Sequence, residues 1–115
     1  VSKANGCRYC VAAHCTILSR GLGEDREKVL RFAKDWQTSD LPEREKKIIE
    51  FALKVNSDPH SITDEDVEEL RGLGLSDKGI VQIIHAVNNF SAYNRFNIAL
   101  MTDFDYDDYW MQAFA

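Results

Sequence analysis

Asn5-Gly6-Cys7-Arg8-Tyr9-Cys10-Val11-Ala12-Ala13-His14 is the stretch around which the rest of the chain is read. Asn5-Gly6 is a turn dipeptide that breaks one segment and starts the next. A helix is expected from about Cys7 to Arg20, closed by Gly21 and Gly23. On such a helix Cys10 and His14, at i and i+4, share a face. Cys7 and Cys10 stand at i and i+3, where Cβ atoms in a regular helix lie ~5–6 Å apart. A disulfide needs about 3.8 Å between those atoms. The pair therefore closes most easily if Cys7 sits at the helix start, where the backbone has some freedom. A helix start also favours a thiolate, because its unpaired N–H groups and dipole attract negative charge. His14, one turn below Cys10, can take or deliver a proton. Arg8, the sequence neighbour of Cys7, points elsewhere on the helix.

The three cysteines, Cys7, Cys10 and Cys15, lie within nine positions, and the remaining 100 residues hold none. An extracellular disulfide scaffold spreads an even number of cysteines along the chain, so the pattern suits a reducing compartment. Cys-x-x-Cys there is a redox or metal motif, or simply two packed thiols. Covalent haem attachment needs His after the second Cys, and position 11 is Val. Structural zinc usually takes four ligands, and Cys7, Cys10 and His14 supply three. Cys15 lies ~100° around the helix from His14 and ~140° from Cys10, which reads as a packing position.

Outward from this stretch, helical periodicity dominates and no convincing strand is found. Val11, Ile17 and Leu18 are apolar positions of the first helix. Asp25–Trp36 reads as a short helix with Val29, Leu30, Phe32 and Ala33 inward. Pro42 suits the first turn of a helix reaching Val55, with Ile48, Ile49, Ala52, Leu53 and Val55. Thr63, with Asp66 three residues on, caps another helix running through Val67 and Leu70 to Gly72 or Gly74. Ser76 caps the longest helix, roughly Asp77 to Met101, with Ile80, Ile83, Ile84, Val87 and Phe90 on its apolar face. The 103–115 tail mixes acids with Phe104, Tyr106, Tyr109, Trp110 and Phe114. Disordered tails are poor in aromatics, so this one is expected to dock on its own domain or a neighbouring subunit.

The chain has 115 residues, 14 Lys+Arg against 19 Asp+Glu and a net charge of −5. That length allows one domain, 1–115. The acidic balance argues against nucleic acid or an anionic membrane as partner. No apolar run approaches the ~18 residues of a membrane span. Val1 is not a methionine, and the opening reads as N-terminally incomplete.

Asn5-Gly6-Cys7-x-Tyr9-Cys10-x-x-Ala13-His14 resembles the signature of the AhpD-like, or carboxymuconolactone decarboxylase, superfamily. The peroxidase-related branch is similar again at Leu41-Pro42-x-Arg44-Glu45 and across Ile62-Thr63-x-Glu65-Asp66-Val67-x-x-Leu70-Arg71-x-x-Gly74-Leu75-Ser76. Phe90, Tyr93 and Asn94-Arg95 look like its aromatic-rich Asn-Arg segment. The resemblance covers about residues 1–100. It implies an all-α helical bundle, lacking its first helices here, that assembles as a dimer, trimer or hexamer. It implies a cytoplasmic thiol-disulfide peroxidase that reduces hydroperoxides and is regenerated by an external dithiol, with no metal or organic cofactor. Carried over by position, Cys7 and Cys10 are the catalytic redox pair and His14 the proton relay. By the family order Cys10 would attack the peroxide and Cys7 resolve the sulfenic acid, whereas the helix start by itself favours Cys7 as the more acidic thiol. The family's relay glutamate lies on the helix before the motif, upstream of where this sequence begins, and Tyr9 stands where His is frequent. Two other readings differ in class. One is a non-enzymatic redox- or metal-responsive binding module. The other is a decarboxylase-type lyase with His14 as base.

Beyond the motif, His85, Asn88 and Arg95 fall near one face of the long helix. They read as a solvated stripe, a cleft lining or a subunit contact. His60 is expected at the surface, and Trp36 and Trp110 are expected to be packing anchors.

Overall fold

The computed structural model describes residues 1–115 and contains helices and turns but no strand. Five α-helices follow in order: α1 Arg8–Thr16, α2 Arg26–Lys34, α3 Glu43–Ser57, α4 Asp64–Gly72 and α5 Asp77–Ala99. A π-helical turn, Ile17–Gly21, extends α1, and a 3-10 helix, Asp108–Phe114, ends the chain. No helix is long and apolar enough to cross a membrane. The contacts divide the chain into two compact units. One comprises Val1 and Pro42–Ala92, the other Ser2–Leu41 and Tyr93–Ala115.

In the first of these units, α4 and α5 start where the sequence supplies a side-chain cap. Thr63 and Asp66 form a reciprocal capping box: Asp66 N–H donates to Thr63 Oγ1 at 3.2 Å and Thr63 N–H to Asp66 Oδ2 at 2.9 Å. Ser76 Oγ accepts from Gly79 N–H at 3.1 Å at the start of α5. Pro42 stands just before α3, where its missing N–H costs nothing. Apolar positions at helical spacing then meet. Phe51 of α3, Leu70 of α4 and Ile80 of α5 form the buried centre, flanked by Ile48, Val55, Val67, Ile83 and Ile84. Lys54 and Asp66, 2.8 Å apart, join α3 to α4 at the edge of this core.

The other unit carries the cysteine motif. Val11, Cys15 and Leu18 recur at i, i+4 and i+7, so one stripe of the first helix faces inward. Val11, Ala12 and Cys15 are buried there with Val29 of α2 and Trp110 and Ala113 of the tail. Ile17 was expected among these apolar positions and is instead 54% exposed. It lies ~120° around the helix from Val11, off the stripe.

The aromatic tail docks on this unit of its own chain. Trp110 is 3% exposed, and Arg26 holds the segment from α2. The Arg26 guanidinium meets Asp107 at 2.7 Å and lies 3.6 Å from the Tyr109 ring centroid. A cation over an aromatic face contributes about 0.5–1 kcal/mol at an exposed site. The long helix α5 stops at Ala99, two residues earlier than expected. Met101 takes a left-handed φ of 50°, which no α-helix continues through.

Candidate active site

The site is built on a turn, a helix start and the facing end of α5. Gly6 N–H donates to Lys3 C=O and Cys7 N–H to Ser2 C=O, both at 3.0 Å, closing the turn that delivers Cys7. Gly6 has φ +73°, a conformation that a Cβ would strain. Cys7 follows in the N-cap position with extended backbone (φ −83°, ψ 93°), while its C=O already accepts from Val11 N–H at 3.0 Å.

That extended residue frees the first cysteine from helical spacing. Cys7 and Cys10 are joined as a disulfide with Cα atoms 5.3 Å apart. Cys7 Sγ also accepts the Cys10 backbone N–H at 3.2 Å. One of the unpaired donors of the helix start thus points at sulfur. Both cysteines are buried. No group of three or more His, Cys, Asp or Glu side chains converges to hold a metal ion.

Asn94 and Asn97 of α5 meet this segment. Asn94 is 1% exposed. Its Oδ1 accepts from Asn5 Nδ2, and its Nδ2 donates to Ser2 Oγ, both at 2.9 Å. It therefore holds the turn before the motif from two sides. Asn97 Nδ2 lies 3.7 Å from Cys10 Sγ and 2.9 Å from Tyr93 C=O. Asn94 belongs to the Asn-Arg segment noted in the sequence. Asn97 was not singled out, and the only local signal was its i+3 spacing from Asn94.

His14 is half-buried on α1, one turn beyond Cys10. Burial pulls its pKa below the ordinary 6.5, because the imidazolium loses hydration. A neutral imidazole at neutral pH is the form that accepts a proton. Tyr9 packs edge to face on Tyr106, with centroids 5.4 Å apart. The Arg8 guanidinium lies 5.6 Å from the Phe114 ring centroid, turned to the tail. Cys15 is buried and free of any disulfide, and burial pushes its pKa up to about 11. His85, Asn88, Arg95 and His60 are exposed.

No protein-family model and no curated protein matches the chain. Solved structures do. An uncharacterized peroxidase-related protein from Silicibacter sp. TM1040 is 28% identical with a TM-score of 0.78, over 85% of this chain and 51% of its own. An uncharacterized peroxidase-related protein from Ralstonia eutropha JMP134, described as an alkylhydroperoxidase AhpD core, is 29% identical with a TM-score of 0.80. That match covers 95% of this chain and 56% of the Ralstonia chain. The chain thus spans about half the length of each.

Proposed function

On the AhpD-like fold that this chain adopts, we propose that it is a thiol-disulfide peroxidase working through Cys7 and Cys10. The observation that carries the reading is the Cys7–Cys10 disulfide at the N-terminus of α1. It joins two thiols at a site where thiolates are favoured, one helical turn from a half-buried imidazole. The peroxidase-related names of the two similar structures support the same chemistry.

In the proposed cycle the reduced pair starts as two thiols. His14 takes the proton of the Cys10 thiol. The thiolate attacks one oxygen of the hydroperoxide, the O–O bond breaks, and Cys10 becomes a sulfenic acid. The departing alkoxide or hydroxide receives the proton from His14 and leaves as alcohol or water. The Cys7 thiol then displaces the sulfenic hydroxyl as water and forms the disulfide. An external dithiol reduces it by exchange and is itself oxidised. The protein in this reading is a cytoplasmic homo-oligomer, as the resemblance implies.

Hydroperoxide consumption coupled to a dithiol, with Cys7→Ser and Cys10→Ser variants of the full-length protein, tests the reading. Both variants are expected to lose turnover, and Cys10→Ser also sulfenic acid formation. Turnover that persists in both single variants would falsify it.

A further inference from the structure

The two sulfurs of the disulfide receive different hydrogen-bond donors. Cys7 Sγ accepts the Cys10 backbone N–H, a bond built into the helix start that any residue at position 10 except proline could supply. Cys10 Sγ faces a side chain from a distant part of the sequence, Asn97 Nδ2 at 3.7 Å. The orientation of that amide is set by its other contact. Asn97 Nδ2 also donates to Tyr93 C=O at 2.9 Å, and a carbonyl can only accept. The amide therefore presents nitrogen there, and its second N–H is available to the sulfur. Asn94, one turn earlier and fully buried, fixes this part of α5 against the turn preceding Cys7.

We propose that Asn97 is the residue that holds negative charge on the Cys10 sulfur, marking Cys10 rather than Cys7 as the side-chain-activated thiol of the pair. The inference deepens the peroxidase reading and rests on it for its catalytic meaning. A donor to the charged form of an acid favours ionisation, and a thiolate accepts more strongly than a thiol or disulfide sulfur. The other titratable or charged groups near Cys10 on its own helix are Cys7, Arg8, Tyr9 and His14. Arg8 is turned to Phe114 and Tyr9 to Tyr106. On α5, Arg95 is exposed to solvent. Asn97 is therefore the neutral donor that α5 contributes, and the same bond would stabilise Cys10 as leaving group when an external thiol attacks Cys7.

The test is a pH titration of each cysteine, followed by carbon NMR of protein labelled at cysteine Cβ. Cys7→Ser isolates Cys10 and Cys10→Ser isolates Cys7, with Cys15 as an internal reference. In the Cys7→Ser background, Asn97→Ala is expected to raise the Cys10 pKa by about one unit, a tenfold fall in thiolate below that pKa. Asn97→Asp, nearly isosteric and bearing a carboxylate, should raise it further and guards against collapse of the alanine variant. In the Cys10→Ser background Asn97→Ala should leave Cys7 unmoved, and Asn97→Asp, whose carboxylate acts on Cys7 only through space, should shift it less than it shifts Cys10. An unchanged Cys10 pKa in both Asn97 variants overturns the proposal, as does an equal shift at Cys7, which marks a merely structural role. The readout does not require turnover, so an inactive wild-type protein would count against the peroxidase reading alone.

Discussion

Asn5 and Asn94, 89 residues apart, are bonded side chain to side chain at 2.9 Å. The same Asn94 amide donates to Ser2. One buried residue of α5 thus secures both ends of the short turn that places Cys7 at the start of α1. Replacing Asn94 by Ala removes both bonds to the partly buried Asn5 and Ser2. A typical hydrogen bond contributes ~0.5–1.5 kcal/mol net, so the two together contribute about 1–3 kcal/mol. Asn94→Ala should therefore lower the denaturation midpoint by a corresponding amount and raise amide exchange at Gly6 and Cys7, whose N–H groups close the turn. A midpoint equal to that of wild type would mean that the turn does not depend on α5.

The tail is a structural part of the unit that holds the motif. Trp110 is buried among Val11, Ala12, Cys15 and Val29. Truncating a buried Trp to Ala costs about 3–5 kcal/mol. Trp110→Ala is thus expected to be the most destabilising single change in this unit, read by thermal denaturation. Arg26→Ala, which loses an exposed ion pair and the stacking on Tyr109, should cost about 1 kcal/mol or less.

Cys15 is set apart from the Cys7–Cys10 disulfide by helical phase, and burial pushes its pKa up to about 11. At pH 8 a thiol with a pKa near 11 is thiolate in only about one molecule in a thousand. With the Cys7–Cys10 disulfide intact, native protein should take up essentially no iodoacetamide at pH 8. Unfolding in denaturant without reductant should then add one label, at Cys15, visible by mass spectrometry of the peptides. Rapid labelling of the native protein would place Cys15 in a different environment.

Local signals decided most of what could be read ahead of the structure. Thr63 with Asp66, and Ser76 before the apolar series Ile80, Ile83, Ile84 and Val87, mark helix starts by bonds made within three residues. Asn5-Gly6 likewise announced a break, and the glycine does take the left-handed conformation that a turn into Cys7 requires. The aromatic content of the tail predicted docking, because Trp110 exposed to water would forfeit its burial. What escaped reading depends on distance along the chain. Asn97 reaches Cys10 across 87 positions, and no local pattern distinguishes an asparagine that meets a sulfur from one that meets water. The end of α5 escaped for another reason. Met101 adopts a left-handed φ that favours glycine or asparagine, so its residue type gave no stop signal.

His14 carries the pH dependence expected of the site. Its folded-state pKa is below the ordinary 6.5 because burial disfavours the charged ring. Between the folded value and 6.5 the unfolded chain binds more protons than the folded one. Stability from this group therefore rises with pH across that window, and the folded state is penalised below it. In the proposed peroxidase cycle the consequence runs the same way: a neutral His14 persists to lower pH than an exposed histidine would allow. Turnover should hold on acidification until the pH passes below 6.5 and then decline. His14→Gln should reduce turnover by about 10²-fold or more, the usual contribution of a positioned acid–base group. The same substitution removes this titration, so wild type should lose stability relative to His14→Gln as the pH falls from about 8 to 5, the range in which histidine titrates. Parallel denaturation series across that range measure it. A wild-type protein that gained stability relative to His14→Gln as the pH fell below 6.5 would show that the imidazolium has a favourable partner in the fold and that burial does not govern its ionisation.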